Sequence, residues 1–172
     1  LAGLLERGAR AWAGQGGLVL VEGEAGIGKT RLVEEVAKGA AEGQVAIHWG
    51  HCQDGGLPYE LIRQLLAGIL HLGLGESPAE RQEKLGRWAR ERGEGMGEVV
   101  AILAGWLAAG EDPPPAPGAE ETQKQRLLWS VWQVLAAEAR RIPLVLLVED
   151  LHLADAGSIE VLDFVVRQMH EA

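Results

Sequence analysis

The string GLVLVEGEAGIGKT, residues 17–30, constrains the fold of this chain more than any other stretch. An apolar, β-branched run is followed at once by three glycines in eight residues, then a lysine and a threonine. Gly23, Gly28, Lys29 and Thr30 fit the phosphate-loop spacing G-x-x-x-x-G-K-[ST]. The residue types follow from the task of holding a polyphosphate. Several successive backbone N–H groups must point inward, and side chains would crowd that approach, so glycine is used where the backbone must come close or take positive φ. A helix opening at Lys29 adds the positive end of its dipole. Lys29 brings a point charge for the outer phosphates. The Thr30 hydroxyl suits Mg²⁺, which takes few protein ligands beside phosphate and water.

That reading requires a strand before the loop and a helix after it. Residues 18–22 (LVLVE) are expected to form a short buried strand, being continuous, apolar and bounded by turn signals. TRLVEEVAKGAAEG then carries Leu32, Val33, Val36 and Ala40 at helical spacing and stops at Gly43. QVAIHWG follows as a second strand. This β–loop–α–β order is the start of an α/β fold with a parallel sheet. A helix is also expected at the very beginning, with Leu1, Leu4, Leu5, Ala9 and Trp12 near one face.

The middle of the chain reads as helical. In GGLPYELIRQLLAGIL, Pro58 belongs at a first helical turn, and Leu61, Ile62, Leu65, Leu66 and Ile69 form the apolar stripe. In SPAE, Ser77 is the expected N-cap, Pro78 lies in the first turn and Glu80 is placed for a capping box, with the helix running through Trp88. MGEVVAILAGWL is another helix. GEDPPPAPGAEE, about residues 110–120, is an exposed loop, because three consecutive prolines cannot continue a helix. From Thr122 a long helix carries Leu127, Leu128, Val131, Leu135 and Ala139, with Arg140 and Arg141 at its negative end. After Pro143, LVLLVED is a third buried strand, residues 144–150, ending in two acids. A last helix has Asp155 as its cap and Ile159, Leu162, Val165, Val166 and Met169 inward.

An apolar strand that ends in Glu149 and Asp150 is what a magnesium–nucleotide site needs opposite a phosphate loop. One acid holds the metal and its water shell; the next polarises an attacking water. Other clusters are weaker. His48, His51 and Cys52 lack the further ligands of a zinc site, so packing at a strand end is expected. His152 reads as a loop hydrogen-bonding residue more than as a phosphate sensor. The six tryptophans are scattered and read as packing, not as a base-stacking platform.

Composition narrows the classes further. With 172 residues, 47% hydrophobic and 24% charged, the chain suits one domain with a real core. A net charge of −9 argues against broad contact with a nucleic-acid backbone. The longest apolar stretch, VVAILAGWLAAG, is well short of the ~20 residues that span a bilayer, so no membrane partner is expected. One cysteine, Cys52, fits a reducing compartment. The resulting expectation is cytoplasmic.

LVEGEAGIGKTRLVEEV together with PLVLLVEDLHLADAGSIEVL resembles the AAA-like ATPase domain of the signal-transduction ATPases with numerous domains. That domain occurs in large bacterial LuxR-type regulators and beside class III nucleotide cyclases. GHC at 50–52 and LPYELIRQLL are similar to the segment after the family's second strand. Leu153 stands where the family usually has Trp, and Glu149 where Asp is commonest for metal binding. The resemblance implies a three-layer α/β/α phosphate-loop NTPase of the additional-strand class, binding ATP or ADP with Mg²⁺. The nucleotide-binding set would be Gly23, Glu24, Ala25, Gly26, Ile27, Gly28, Lys29, Thr30 and Arg31. Thr30 and Glu149 would serve the metal, and Asp150 would be the catalytic water activator. The family continues with a fourth strand lying between its first and third. Residues 1–172 are therefore expected to be the incomplete front part of such a domain, partnered by the missing C-terminal part of its own protein and capable of self-association. The implied role is a slowly hydrolysing switch in signal transduction or transcription regulation. Two alternatives stay open from the residues: a small-molecule or nucleotide kinase, and a non-hydrolysing nucleotide-binding scaffold.

Overall fold

The structure is a computed structural model that describes residues 14–41, 45–73, 75–109 and 120–171, together with positions 3, 6 and 11. Of the helix expected over the first residues, positions 3, 6 and 11 are helical; its other positions to 13, the proline-rich loop at 110–119 and the predicted stop at Gly43 lie outside the described residues. Among the described residues the order is α1 (Lys29–Ala41), β1 (Ala46–His51), α2 (Glu60–Ile69), α3 (Pro78–Arg92), α4 (Met96–Ala109), α5 (Glu120–Ala139), β2 (Leu144–Glu149), a 3-10 turn (Leu151–Leu153) and α6 (Ala156–Glu171). The chain is helix-rich with a small parallel sheet of two strands, an arrangement compatible with an α/β phosphate-loop fold.

β1 and β2 pair in register from Ala46↔Leu144 to His51↔Glu149. Side chains alternate across such a ladder. His48 and Gly50 point to α2, where they meet Gly68 and the leucines Leu61 and Leu65. Leu144, Leu146 and Val148 on β2 pack against the same helical layer. Trp49, on the opposite face, is 41% exposed.

The core lies in the helices. Ile62 and Leu66 of α2, Leu85 of α3, Leu103 of α4, Val131 and Val134 of α5 and Val161 of α6 form one cluster. The predicted stripe of α2 is buried at all five positions. Its start differs from expectation: Pro58 precedes the helix, and Tyr59 sits between them in the left-handed region at φ 58°, ψ 21°. α3 begins as read, with the Ser77 hydroxyl accepting from the Glu80 N–H at 3.3 Å and the Glu80 carboxylate accepting from the Ser77 N–H at 2.8 Å. α3 and α5 are joined by a buried polar contact in which Glu138 Oε1 accepts from Trp88 Nε1 at 2.6 Å and from Arg92 Nε and Nη2 at 2.9 and 2.6 Å.

Three expectations are corrected. Residues 18–22 form no strand; no described strand pairs with them, and Leu18, Val19 and Leu20 are 62%, 41% and 60% exposed. Apolar β-branched composition favours a ladder, but a ladder needs a partner backbone. In α6 the buried stripe runs through Ser158, Val161 and Val165, while Ile159 is 41% exposed. Asp155 caps this helix with a tether to Tyr59, described below, and that tether fixes its rotation. In α5 Leu127, Leu128, Val131 and Leu135 are buried as expected and Val134 joins them, but Ala139, the last residue of the helix, is exposed.

Candidate functional site

The phosphate-loop residues Gly23 to Thr30 lead directly into α1, which begins at Lys29 as the motif requires. Gly26 and Gly28 take φ of 80° and 97°, a region closed to most side chains. A Cβ at Gly23 would come within 3.2 Å of Ile27 Cγ2, so the loop closes tightly there. The N–H of Ile27 reaches the Glu24 carbonyl at 3.4 Å, and the N–H of Leu32 bonds the Gly28 carbonyl at 3.0 Å. Lys29 folds back over the loop: its Nζ donates to the carbonyls of Gly23 at 2.8 Å and Glu24 at 2.9 Å. Glu24, Ala25, Ile27, Thr30 and Arg31 are exposed, so the outer surface of the loop is open to a ligand.

The acidic pair lies at the C-terminal ends of the sheet. Glu149 is the last residue of β2, opposite His51, and its carbonyl accepts from Cys52 N–H at 3.1 Å. Asp150 falls just outside the strand in the left-handed region at φ 53°, ψ 40°. Its carbonyl accepts from Leu153 N–H at 2.8 Å, which forms the 3-10 turn. Its Oδ2 lies 3.9 Å from His51 Nδ1. His51 is held by its backbone: its N–H donates to Gln64 Oε1 at 2.9 Å, and its carbonyl accepts from Gln64 Nε2 at 3.2 Å. The Gln64 amide thus acts as a one-residue strand partner on the free edge of β1. Sequence reasoning reads His51 as strand-end packing, whereas its side chain is exposed beside Asp150; Gln64 behind it carries no mark in the sequence. Gln64 lies among the polar positions of an amphipathic helix, and nothing in the spacing sets it apart.

Asp155 is the cap that the sequence predicted. Its Oδ1 accepts from Ser158 N–H at 2.9 Å and its Oδ2 from the Ser158 hydroxyl at 2.6 Å. Oδ1 also accepts from the Tyr59 N–H at 2.9 Å, a contact no local pattern predicts. Burial pushes the Asp155 carboxyl up. The bonds from the Ser158 hydroxyl, the Tyr59 N–H and the Ser158 N–H outweigh it and hold the group below the ordinary aspartate value.

A cavity of about 140 Å³ opens between the segment after β1 and the turn after β2, lined by Cys52, Gln53, Leu57, Glu60, Leu153 and Asp155 among others. Glu60 closes one wall, accepting from Leu57 N–H at 3.0 Å and Gln53 Nε2 at 3.2 Å. Cys52 is buried, and burial, followed by the charges of Asp155, Asp150 and Glu60, raises its thiol pKa. An inert packed thiol results. Among the described residues no group of three or more His, Cys, Asp or Glu side chains is placed to hold a metal ion.

The site therefore stands as two parts. The loop gathers residues 23–31 at the head of α1; the sheet gathers Glu149, Asp150 and His51. Among the described residues no hydrogen bond or ion pair joins the two. The donor chemistry fits a magnesium nucleotide: loop glycines with positive φ, a lysine ammonium at the loop, a helix N-terminus, and one hydroxyl and one carboxylate for the metal. Among the described residues no helix is long and apolar enough to cross a membrane.

Comparison with known proteins agrees with this geometry. No solved structure matches the chain. An uncharacterized protein of Rhizobium meliloti (strain 1021) is 30% identical over 164 residues, an alignment covering 87% of this chain but 15% of that relative. The chain thus spans a small fraction of the length of the relative it resembles. The family described as AAA ATPase domain matches residues 1–171, phosphate loop and acidic strand included. That match covers nearly every residue, and family membership points to nucleotide binding, typically with Mg²⁺. The chain belongs to the AAA ATPase domain family.

Proposed function

We propose that this domain is an ATP-binding, slowly hydrolysing switch of a bacterial signal-transduction or transcription regulator, of the kind found in the signal-transduction ATPases with numerous domains. The observation that carries the reading is the loop at residues 23–30, with Lys29 Nζ already drawn to the carbonyls of Gly23 and Glu24. Amides of Gly23, Glu24, Ala25, Gly26, Ile27 and Gly28 hold the phosphates; Lys29 turns to the outer phosphates, and Arg31 flanks them. Thr30 and Glu149 serve Mg²⁺, which when bound neutralises charge on the phosphates and polarises them toward attack. Asp150 accepts a proton from the attacking water. The complete sheet is a three-layer arrangement of the additional-strand class. The module works in the cytoplasm as part of a larger chain and self-associates. The 15% share of the Rhizobium meliloti relative is in keeping with one module of a large protein. The cavity beyond the strands has Glu60 and Asp155 in its wall and, among the described residues, no lysine or arginine, which counts against a phosphate-bearing acceptor there and so against a nucleotide kinase.

Calorimetric titration with Mg-ATP and Mg-ADP tests the reading. A charge-assisted phosphate contact contributes about 1.5–3 kcal/mol, so Lys29→Ala should weaken Mg-ATP roughly 10- to 150-fold. The variant should unfold as the parent does, since Lys29 bonds only exposed loop carbonyls. Equal affinity in both proteins would remove the loop from the site.

A further inference from the structure

We propose that Asp155, Tyr59 and Gly157 form a joint that ties the acidic end of β2 to the helical layer, so that a shift of residues 150–155 on nucleotide binding is passed to α4. The inference rests on the nucleotide reading given above. Asp150 and Asp155 are connected by a short stiff piece of chain. Leu153 N–H bonds the Asp150 carbonyl at 2.8 Å, and Ala154 N–H bonds the Leu151 carbonyl at 3.1 Å. Asp155 therefore moves with Asp150. Its carboxylate holds α6 through Ser158, which is fully buried, and holds α2 through the N–H of Tyr59. An ionised acceptor makes that cross-chain bond stronger than a neutral pair would be.

Tyr59 carries the link onward. It occupies the left-handed region, which a residue with a Cβ keeps only when its surroundings impose it. Its ring lies on Gly157 at the head of α6, where a Cβ would come within 2.6 Å of the ring carbons. The edge of the ring meets Trp106 of α4, with centroids 5.7 Å apart and planes at 74°. Arg63 lies over the Trp106 ring, its Cζ 4.8 Å from the centroid, and donates to the Pro58 carbonyl at 3.0 Å, holding the turn before α2 against the same indole. Trp106 is 6% exposed, so it cannot yield without moving α4. One aromatic ring thus touches the starts of α2 and α6 and the end of α4.

Two substitutions interrupt the joint away from the loop and the acids. Gly157→Ala pushes the Tyr59 ring off α6. Tyr59→Gly keeps the N–H and suits the left-handed backbone, but removes the ring; it carries the test should Gly157→Ala not fold. The measurement is hydrogen–deuterium exchange of the chain with and without Mg-ATP. In the parent, Mg-ATP should slow exchange at residues 23–31 and change it at residues 99–107. In both variants protection at 23–31 should persist, with affinity within about fivefold of the parent, while the change at 99–107 falls to less than half. An undiminished change at 99–107 in the folded variants would overturn the joint, as would a parent with loop protection and no response in α4. A parent with no loop protection at all would refute the nucleotide reading, and the joint with it.

Discussion

Gly50 sets how closely β1 approaches α2. It is buried and lies opposite Val148 in the ladder. A methyl group there would overlap Leu61 Cδ1 and stand 3.2 Å from Leu65 Cδ2 and 3.3 Å from Leu65 Cγ. Carbon atoms rest comfortably at about 3.5–4.0 Å, so at least two side chains must shift. Leu61 and Leu65 are 2% and 3% exposed and have no solvent to retreat into. Overpacking of this kind costs about 1–3 kcal/mol. Replacing a strand glycine by alanine returns about 0.5–1 kcal/mol of backbone entropy, leaving a net loss of about 0–2.5 kcal/mol for Gly50→Ala. Leu61→Ala removes the struck methyl and should by itself cost about 2–5 kcal/mol. The pair should then be less destabilised than the sum of the singles by about 1–2 kcal/mol, because the second change makes room for the first. Urea unfolding followed by far-UV circular dichroism, with midpoint and slope both fitted, measures all three. Strict additivity in the double variant would refute the close approach.

Glu149→Gln should weaken Mg²⁺-dependent nucleotide binding, whereas Asp150→Asn should slow phosphate release with binding largely kept; reversed effects would exchange the two roles. Glu138→Ala leaves the Arg92 guanidinium, whose side chain is 9% exposed, with Glu91 at 3.0 Å as its remaining carboxylate and takes the acceptor from Trp88 Nε1; it should cost at most about 3–5 kcal/mol in urea unfolding, a loss under about 1 kcal/mol counting against the buried pair. Burial, then the charge of His71, holds His48 below its ordinary value of 6.5, so the folded state favours the neutral ring. The stability from this group is therefore full above pH 6.5 and is lost as pH falls through the folded value. Parent and His48→Gln unfolded at a series of pH values should diverge below that point; parallel curves would show that His48 is not the group responsible.

Local chemistry was legible where the chain satisfies its own needs. The capping box at Ser77 and Glu80 closes within one turn, and the stripe of α2 follows from helical geometry alone. The phosphate loop reads from spacing because its glycines answer a backbone requirement at fixed offsets. What escaped depends on partners far along the chain. LVLVE has the composition of a strand, but pairing belongs to two segments, and only one can be read at a time. Ile159 fits the helical period as well as Val161 does; the tether from Asp155 to Tyr59, 96 residues apart, decides which turns inward. His51 meets Asp150, and Gln64 meets His51, only because β1, α2 and β2 converge at one end of the sheet.

The exposed approach to the phosphate loop has a consequence for affinity. Leu18, Val19 and Leu20 precede the loop without a described ladder, so the geometry of the amides at 23–28 is anchored on the side of α1. Where a binding-competent arrangement is only one of several, the observed dissociation constant is the intrinsic one divided by the competent fraction. A fraction of one tenth weakens binding tenfold, about 1.4 kcal/mol. A backbone that laddered with residues 18–22 would tighten nucleotide binding without touching a phosphate, by raising that fraction. Thermodynamic reciprocity then requires the nucleotide to strengthen the ladder by the same factor.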